Sequence, residues 1–258
     1  MKPSAQFELP EGLDWGYWVE RWDRMQERYL VRRDERMEII VRLVRDTQSS
    51  VGHVLDLGCG TGSLMLAVLK AFPEAQVLGL DFDPTLLALA RARLADYAGR
   101  VQLMEVDLRE ESWVETLRLP VDAVVSATAL HWLPPGELAL LYKRLAKVLH
   151  QGGIFLNADH VGSDCTAVQE GRERHREEMR AQEGHSSADD WDGFWEAYLG
   201  DLGPIVRQLR QSLVGEWQGS DAGMPLAWHL DQLRASGFMA VDCFWRCDCD
   251  AIYGGIRA

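Results

Sequence analysis

The residues best suited to chemistry cluster in the first half of the chain. In Val54-Leu55-Asp56-Leu57-Gly58-Cys59-Gly60-Thr61-Gly62-Ser63-Leu64, an apolar run carrying one acid meets three glycines spaced Gly-x-Gly-x-Gly. Glycines at such a turn let the backbone come close to a ligand, and the helix that opens there offers unpaired N–H groups to polar atoms. The spacing differs from the Gly-x-Gly-x-x-Gly that receives a dinucleotide pyrophosphate, which disfavours a dinucleotide oxidoreductase. Asp81 closes the next apolar run about twenty residues on, where a carboxylate meets ribose hydroxyls in nucleotide-binding α/β folds. Asp107 follows a third such run, and His131 and Trp132 follow a fourth. An imidazole can move a proton near neutral pH, and an indole N–H can orient a polar acceptor.

These groups need elements to position them, and the apolar pattern supplies them. Short runs at His53–Leu57, Gln76–Asp81, Val101–Val106, Val121–Ser126 and Ile154–Ala158 alternate with helical stretches at Gly62–Phe72, Asp83–Tyr97 and Gly136–Leu149. Strand–helix alternation of this kind predicts a parallel sheet covered on both faces. Asp83-Pro84 supplies an N-cap followed by proline at the first helical position, and Gly152-Gly153 is expected to close the helix ending at Leu149. A helix over Leu226–Gly237 and two strands, Met239–Cys247 and Ala251–Arg257, joined by a turn at Asp248-Cys249-Asp250, complete the chain. The fold class is α/β: a Rossmann-like, seven-stranded, mostly parallel sheet with helices on both faces, an N-terminal helical segment and a helical insertion after strand 5.

Two segments lie outside that rhythm. Trp15, Trp18, Trp22, Met25 and Tyr29 recur at helical spacing beside a stripe of Arg21, Arg24, Arg28 and Arg32, predicting an amphipathic helix broken near Val31. This helix either packs on the core with its arginines in solvent or folds over a ligand site. Arg21, Arg24 and Arg28, with Tyr17 and Tyr29, are then candidates to meet an anion. Residues 160–225 read as the insertion. They hold a charged stretch, Glu170–Glu183, read as a solvated helix, and an aromatic stripe of Trp191, Phe194, Trp195, Tyr198 and Leu202, read first as core. Residues 1–50 thus form an N-terminal cap and 51–258 the main domain.

Bulk properties narrow the function. A net charge of −13 opposes approach to nucleic-acid phosphates or an anionic bilayer. Met1–Glu11 lacks the pattern of a secretory signal and no apolar run is long enough to span a membrane, so the cytoplasm is expected. The five cysteines form no paired Cys-x-x-Cys ladder and are expected as free thiols, with Cys243, Cys247 and Cys249 on one strand face as small hydrophobes. Asp159, His160, Asp164, Cys165, His175 and His185 lack the compact spacing of metal ligands, so no metal is expected.

With these motifs in place, the sequence resembles the class I S-adenosylmethionine-dependent methyltransferases over about 51–158 and again in the terminal strand pair. The resemblance implies that Asp56, Gly58, Gly60 and Gly62 hold the methionine and ribose part of the cofactor, S-adenosylmethionine, whose product is S-adenosylhomocysteine. It implies ribose binding by Asp81, adenine packing by Phe82, and adenine recognition by Asp107 with Leu108 beside it. Ser126 belongs to the same cofactor set. The Leu-x-Trp-Leu run ending at Leu133 is similar to that of small-molecule carboxyl methyltransferases, including the trans-aconitate enzymes. By that likeness Trp132 orients an acceptor carboxylate, and His131 is a second contact or a general base. The implied partner is a small-molecule acceptor, methylated on a carboxylate oxygen, or on nitrogen, carbon or a phenol with His131 as base. A catalytically silent S-adenosylmethionine-binding protein is the rival, distinguished by whether a ligand-sized cavity opens beside Trp132.

Overall fold

The computed structural model describes residues 12–117, 120–183, 188–214 and 223–258, so Met1–Glu11 and His185 lie outside the described residues. Five strands, β1 (His53–Leu57), β2 (Gln76–Asp81), β3 (Val101–Glu105), β4 (Val121–Ala127) and β5 (Leu149–His160), run parallel. The hairpin of β6 (Phe238–Cys247) and β7 (Asp250–Arg257) adds to them antiparallel, giving the order β3-β2-β1-β4-β5-β7-β6. The order reverses between β1 and β4, so a crevice opens beyond their carboxyl ends, where open α/β sheets bind ligands.

Helices α1 (Trp15–Tyr29), α2 (Arg33–Thr47), α3 (Ser63–Ala71), α4 (Pro84–Arg93), α5 (Ser112–Thr116), α6 (Pro135–Val148), α7 (Thr166–Glu183), α8 (Trp191–Leu202), α9 (Pro204–Val214) and α10 (Leu226–Ala235) complete the fold. Two apolar layers sandwich the sheet, one built on Leu141, Tyr142, Leu145 and Phe155, the other on Ile40, Val44, Met65 and Leu156. A third cluster lies away from the sheet, where Trp18, Trp22 and Met25 of α1 pack on Phe194, Trp195 and Tyr198 of α8. The two aromatic stripes are therefore each other's core. Among the described residues no helix is long and apolar enough to cross a membrane.

The structure agrees with the sequence reading in one local respect and differs in two. The N-terminal helix breaks where expected, with Arg32 in the left-handed region at φ 54° and α2 starting after it. Helix α6 ends at Val148 and β5 begins at once, its pairing with β4 irregular between Val121 and Ala123, so Gly152-Gly153 sits inside the strand rather than closing the helix. The parity argument for Cys243, Cys247 and Cys249 fails because register shifts interrupt β6 on either side of Cys243. Cys249 alone of the three is fully buried, and it lies in the turn.

Candidate active site

The glycine turn is built by sterics. Gly58, Gly60 and Gly62 all have positive φ, of 62°, 52° and 78°, which L side chains rarely adopt. At Gly58 a Cβ would also sit 2.3 Å from Ala129 Cβ, so the β1 and β4 loops approach through the absence of a side chain. Thr128, next to Ala129, takes φ 51°, a strained backbone of the kind that collects at ligand sites.

The turn forms one wall of a cavity of about 590 Å³. At its first end stand Asp56, Gly58, Gly60, Asp81, Phe82 and Leu108; at the other, His131, Trp132 and His160. Asp81 receives Gly60 N at 2.7 Å and Asp83 N at 2.9 Å, yet burial dominates and pushes its carboxyl up to about 7. Burial first, and Asp81 second, raise Asp56 well above the usual carboxylate range. Asp56 Oδ2 is buried without a hydrogen-bond partner, an acceptor left open at the edge of the cavity. Such an oxygen fits a ligand hydroxyl or ammonium, as the cofactor offers.

At the second end, His131 Nδ1 lies 2.7 Å from Asp159 Oδ1, and Asp159 also accepts the backbone N–H of His131 and His160. Despite its burial, Asp159 is held well below the usual range, chiefly by His131. An ionised Asp159 makes Nδ1 the donor and leaves Nε2 as the free ring nitrogen. The His131 ring lies 4.8 Å from His160, whose Nδ1 is 2.7 Å from Asp250 Oδ1. Arginines complete this end. Arg36, 3% exposed, donates to Ala158 O and lies 3.6 Å from Asp250, while its Nη1 lacks a hydrogen bond. Nε of Arg176 and Nε of Arg180, both on α7, are likewise buried without a hydrogen bond. Burial and the neighbouring Arg176 lower the Arg180 pKa, the mark of like charges held together.

Of the residues the sequence singled out, the cavity unites Asp56, Gly58, Gly60, Asp81, Phe82, Leu108, His131 and Trp132. Gly62 instead caps α3 behind the turn. Ser126 is buried and donates to Leu57 O, tying β4 to β1. Asp107 does not line the cavity; its carboxylate is taken by Arg109 at 2.6 Å, and Val106 and Leu108 on either side face inward. Arg21 pairs with Asp189 and Arg28 donates to Ala188 O, so of the candidate N-terminal anion contacts only Tyr29 lines the cavity. The cationic wall comes from Arg33, Arg36, Arg176 and Arg180, which the sequence reading passed over. Arg176 and Arg180 stand one turn apart on a helix read as solvated, and that spacing was the signal available. His175 pairs with Asp248, and among the described residues no three metal-type ligands converge.

A Rossmann-like sheet with the antiparallel hairpin at its edge, a Gly-x-Gly-x-Gly turn and an acid closing β2 together define the class I S-adenosylmethionine-dependent methyltransferase fold. Within this fold, residues 54–153 match the family model described as Methyltransferase domain. The trans-aconitate 2-methyltransferase of Methylobacterium nodulans is 37% identical over 133 residues, covering 51% of this chain and 47% of that one. That of Azoarcus sp. is 32% identical over 137 residues, covering 52% and 48%. The chain thus spans about half the length of the curated relatives it matches. In overall fold it is similar to a putative O-methyltransferase from Nostoc punctiforme, with TM-score 0.59 at 14% identity over 94% of this chain and 60% of that one. It is also similar to the S-adenosylmethionine-dependent methyltransferase SibL, with TM-score 0.54 at 19% identity, covering 86% and 54%.

Proposed function

We propose that this protein transfers a methyl group from S-adenosylmethionine to a carboxylate oxygen of a small acidic acceptor. The carrying observation is that one cavity joins buried acids at the glycine turn to a cationic wall of Arg36, Arg176 and Arg180 beside His131 and Trp132. Bound S-adenosylmethionine supplies an electrophilic methyl group on a sulfonium. Asp56, Gly58 and Gly60 form the methionine and ribose site, with Gly62 shaping the turn behind them, Asp81 accepts ribose hydroxyls, and Phe82 and Leu108 flank the adenine. Arg33, which donates to Ser63 Oγ at 2.7 Å, replaces the arginines of α1 as the cation beside the turn. Asp107 is an indirect contributor in this reading, because Arg109 occupies it.

At the acceptor end buried Arg36 and half-buried Arg176 and Arg180 draw in an anion, while Trp132 and His131 Nε2 orient it. A carboxylate is ionised near neutral pH and needs no base. A second reading rests on the His131–Asp159 contact, which also suits a general base that takes a proton from an acceptor hydroxyl. The acceptor is a free small molecule, and residues 12–50 act as a cap over the site.

The test is transfer of labelled methyl from S-adenosylmethionine across panels of carboxylic acids, phenols and amines, with Arg176→Gln beside the native protein. Labelled acids, with KM raised about tenfold or more in Arg176→Gln, support the proposal. Labelling confined to phenols, and abolished in His131→Gln, favours the second reading.

A further inference from the structure

A buried polar chain lies behind the acceptor end of the cavity, and none of the roles above uses it. The antiparallel register of β5 and β7 sets Asn157 opposite Tyr253 and His160 opposite Asp250. Asn157 Nδ2 donates to Tyr253 Oη at 2.8 Å and reaches Asp159 Oδ2 at 3.4 Å. Tyr253 Oη lies 3.1 Å from Tyr142 Oη and 3.0 Å from His229 Nδ1, and Tyr142 Oη lies 2.8 Å from the same nitrogen. Asn157, Tyr142 and Tyr253 have no exposed surface, and His229 has almost none.

The proton positions follow from charge. Burial lowers the His229 pKa to about 4, so its ring is neutral and can accept at Nδ1, the nitrogen that faces the two hydroxyls. Burial raises both tyrosines, which keep their protons. One tyrosine hydroxyl donates to the single Nδ1 lone pair and the other to its neighbour's hydroxyl oxygen, while the Asn157 amide N–H groups reach Tyr253 Oη and Asp159 Oδ2. Asp159 is consequently gripped from behind by Asn157 while its other oxygen holds His131 Nδ1.

We infer that Asn157 and Tyr253 are positioning residues: through Asp159 they fix the His131 ring so that Nε2 is the nitrogen offered to the cavity. Their use in methyl transfer rests on the acceptor role proposed for His131. Four polar side chains lie buried inside an apolar layer, and although Asn157 Oδ1 and His229 Nε2 lack a partner among the described residues, the hydrogen bonds that the four do make lead to one end point, the Asp159 carboxylate. The register of β7 sets Asn157 against Tyr253 and His160 against Asp250 together, so the C-terminal hairpin is part of the site's frame.

The test uses the full chain and reads the ring titration of His131 by proton NMR, assigned with His131→Gln. The groups facing this ring are Asp159, His160 and Trp132. In Tyr253→Phe, a freed Asn157 amide either turns onto Asp159 and draws off its charge or lets the carboxylate swing away from Nδ1. Both lower the His131 midpoint, by about half a pH unit. Tyr142→Phe, one link further out, shifts it less, and His150, paired with Asp122, does not move. Should Tyr253→Phe fail to fold, Asn157→Ser cuts the same link from the other side and is read in the same way. An unchanged His131 midpoint, or equal shifts in the Tyr253 and Tyr142 variants, overturns the inference. Calorimetric titration of the same samples with S-adenosylhomocysteine separates the two readings. Absence of binding by the native chain removes the proposed function and leaves the NMR result standing.

Discussion

Asp81, beside Asp56, is a side chain whose ionisation state bears on the first end of the cavity. Its folded pKa of about 7 lies above the ordinary carboxylate value, near 3.9, so the native state holds a proton that the unfolded chain releases between those two values. Its contribution to the stability of the ligand-free protein is full below the lower value and is lost as pH rises through about 7. If Asp81 accepts the cofactor hydroxyls as proposed, its carboxylate form is the stronger acceptor, so affinity for S-adenosylhomocysteine is expected to strengthen between pH 6 and 8. Asp81→Asn should abolish that pH dependence and weaken binding by about tenfold or more, a charge-assisted pair being worth about 1.5–3 kcal/mol. Calorimetry at the two pH values checks this; an equally pH-dependent variant would place the titration elsewhere.

At the scale of elements, close backbone approach sets the site as firmly as any side chain does. A Cβ on Gly254 would lie 1.9 Å from Phe155 O, a backbone atom that cannot swing aside. Gly254→Ala should therefore destabilise the fold by about 1–3 kcal/mol or more by forcing β7 off β5, read as a lower denaturant midpoint. Loss of His131–Asp159 geometry should accompany it. Gly60→Ala is the contrast: nothing lies within 4 Å of its Cβ, and only its φ of 52° resists, so the loss of stability should be smaller. The strands, the glycine turn and Asp81 were legible in the sequence because each depends on local pattern: an apolar run, a turn residue, a fixed spacing. The Asn157–Tyr253 pair and the Arg36–Asp250 contact were not, because strand register and helix packing bring together residues separated by about a hundred positions or more. Cys243 and Gly152 show the other limit, for a bulge changes parity without a sequence signature that periodicity reads.

For the whole molecule, one carboxylate is among the contacts that tie segments outside the matched region 54–153 to the cofactor end. Asp23 of α1 lies 3.0 Å from Arg33 of α2 and 2.8 Å from Arg93 of α4, and these arginines donate in turn to Ser63 Oγ and Thr61 O of the glycine turn. Helix α1 is also half of the aromatic cluster with α8, so the turn, the N-terminal helices and the insertion share one set of contacts. Occupation of the turn should then be felt across α1 and α8. At a hundredfold excess over Kd, binding stabilises the native state by about 2.7 kcal/mol, and every segment that opens only with the site slows its hydrogen exchange accordingly. Exchange at Trp15–Tyr29 and Trp191–Leu202 is expected to slow on adding S-adenosylhomocysteine to the native chain. In Asp23→Ala it should slow in the central strands while α1 stays at its ligand-free rate, because the ion pairs that carry the coupling are gone and the aromatic packing remains. Equal protection of α1 in both proteins would mean that the aromatic cluster alone transmits occupancy, and Trp22→Ala, which deletes its central ring at a cost of about 3–5 kcal/mol, would then be the variant that uncouples them.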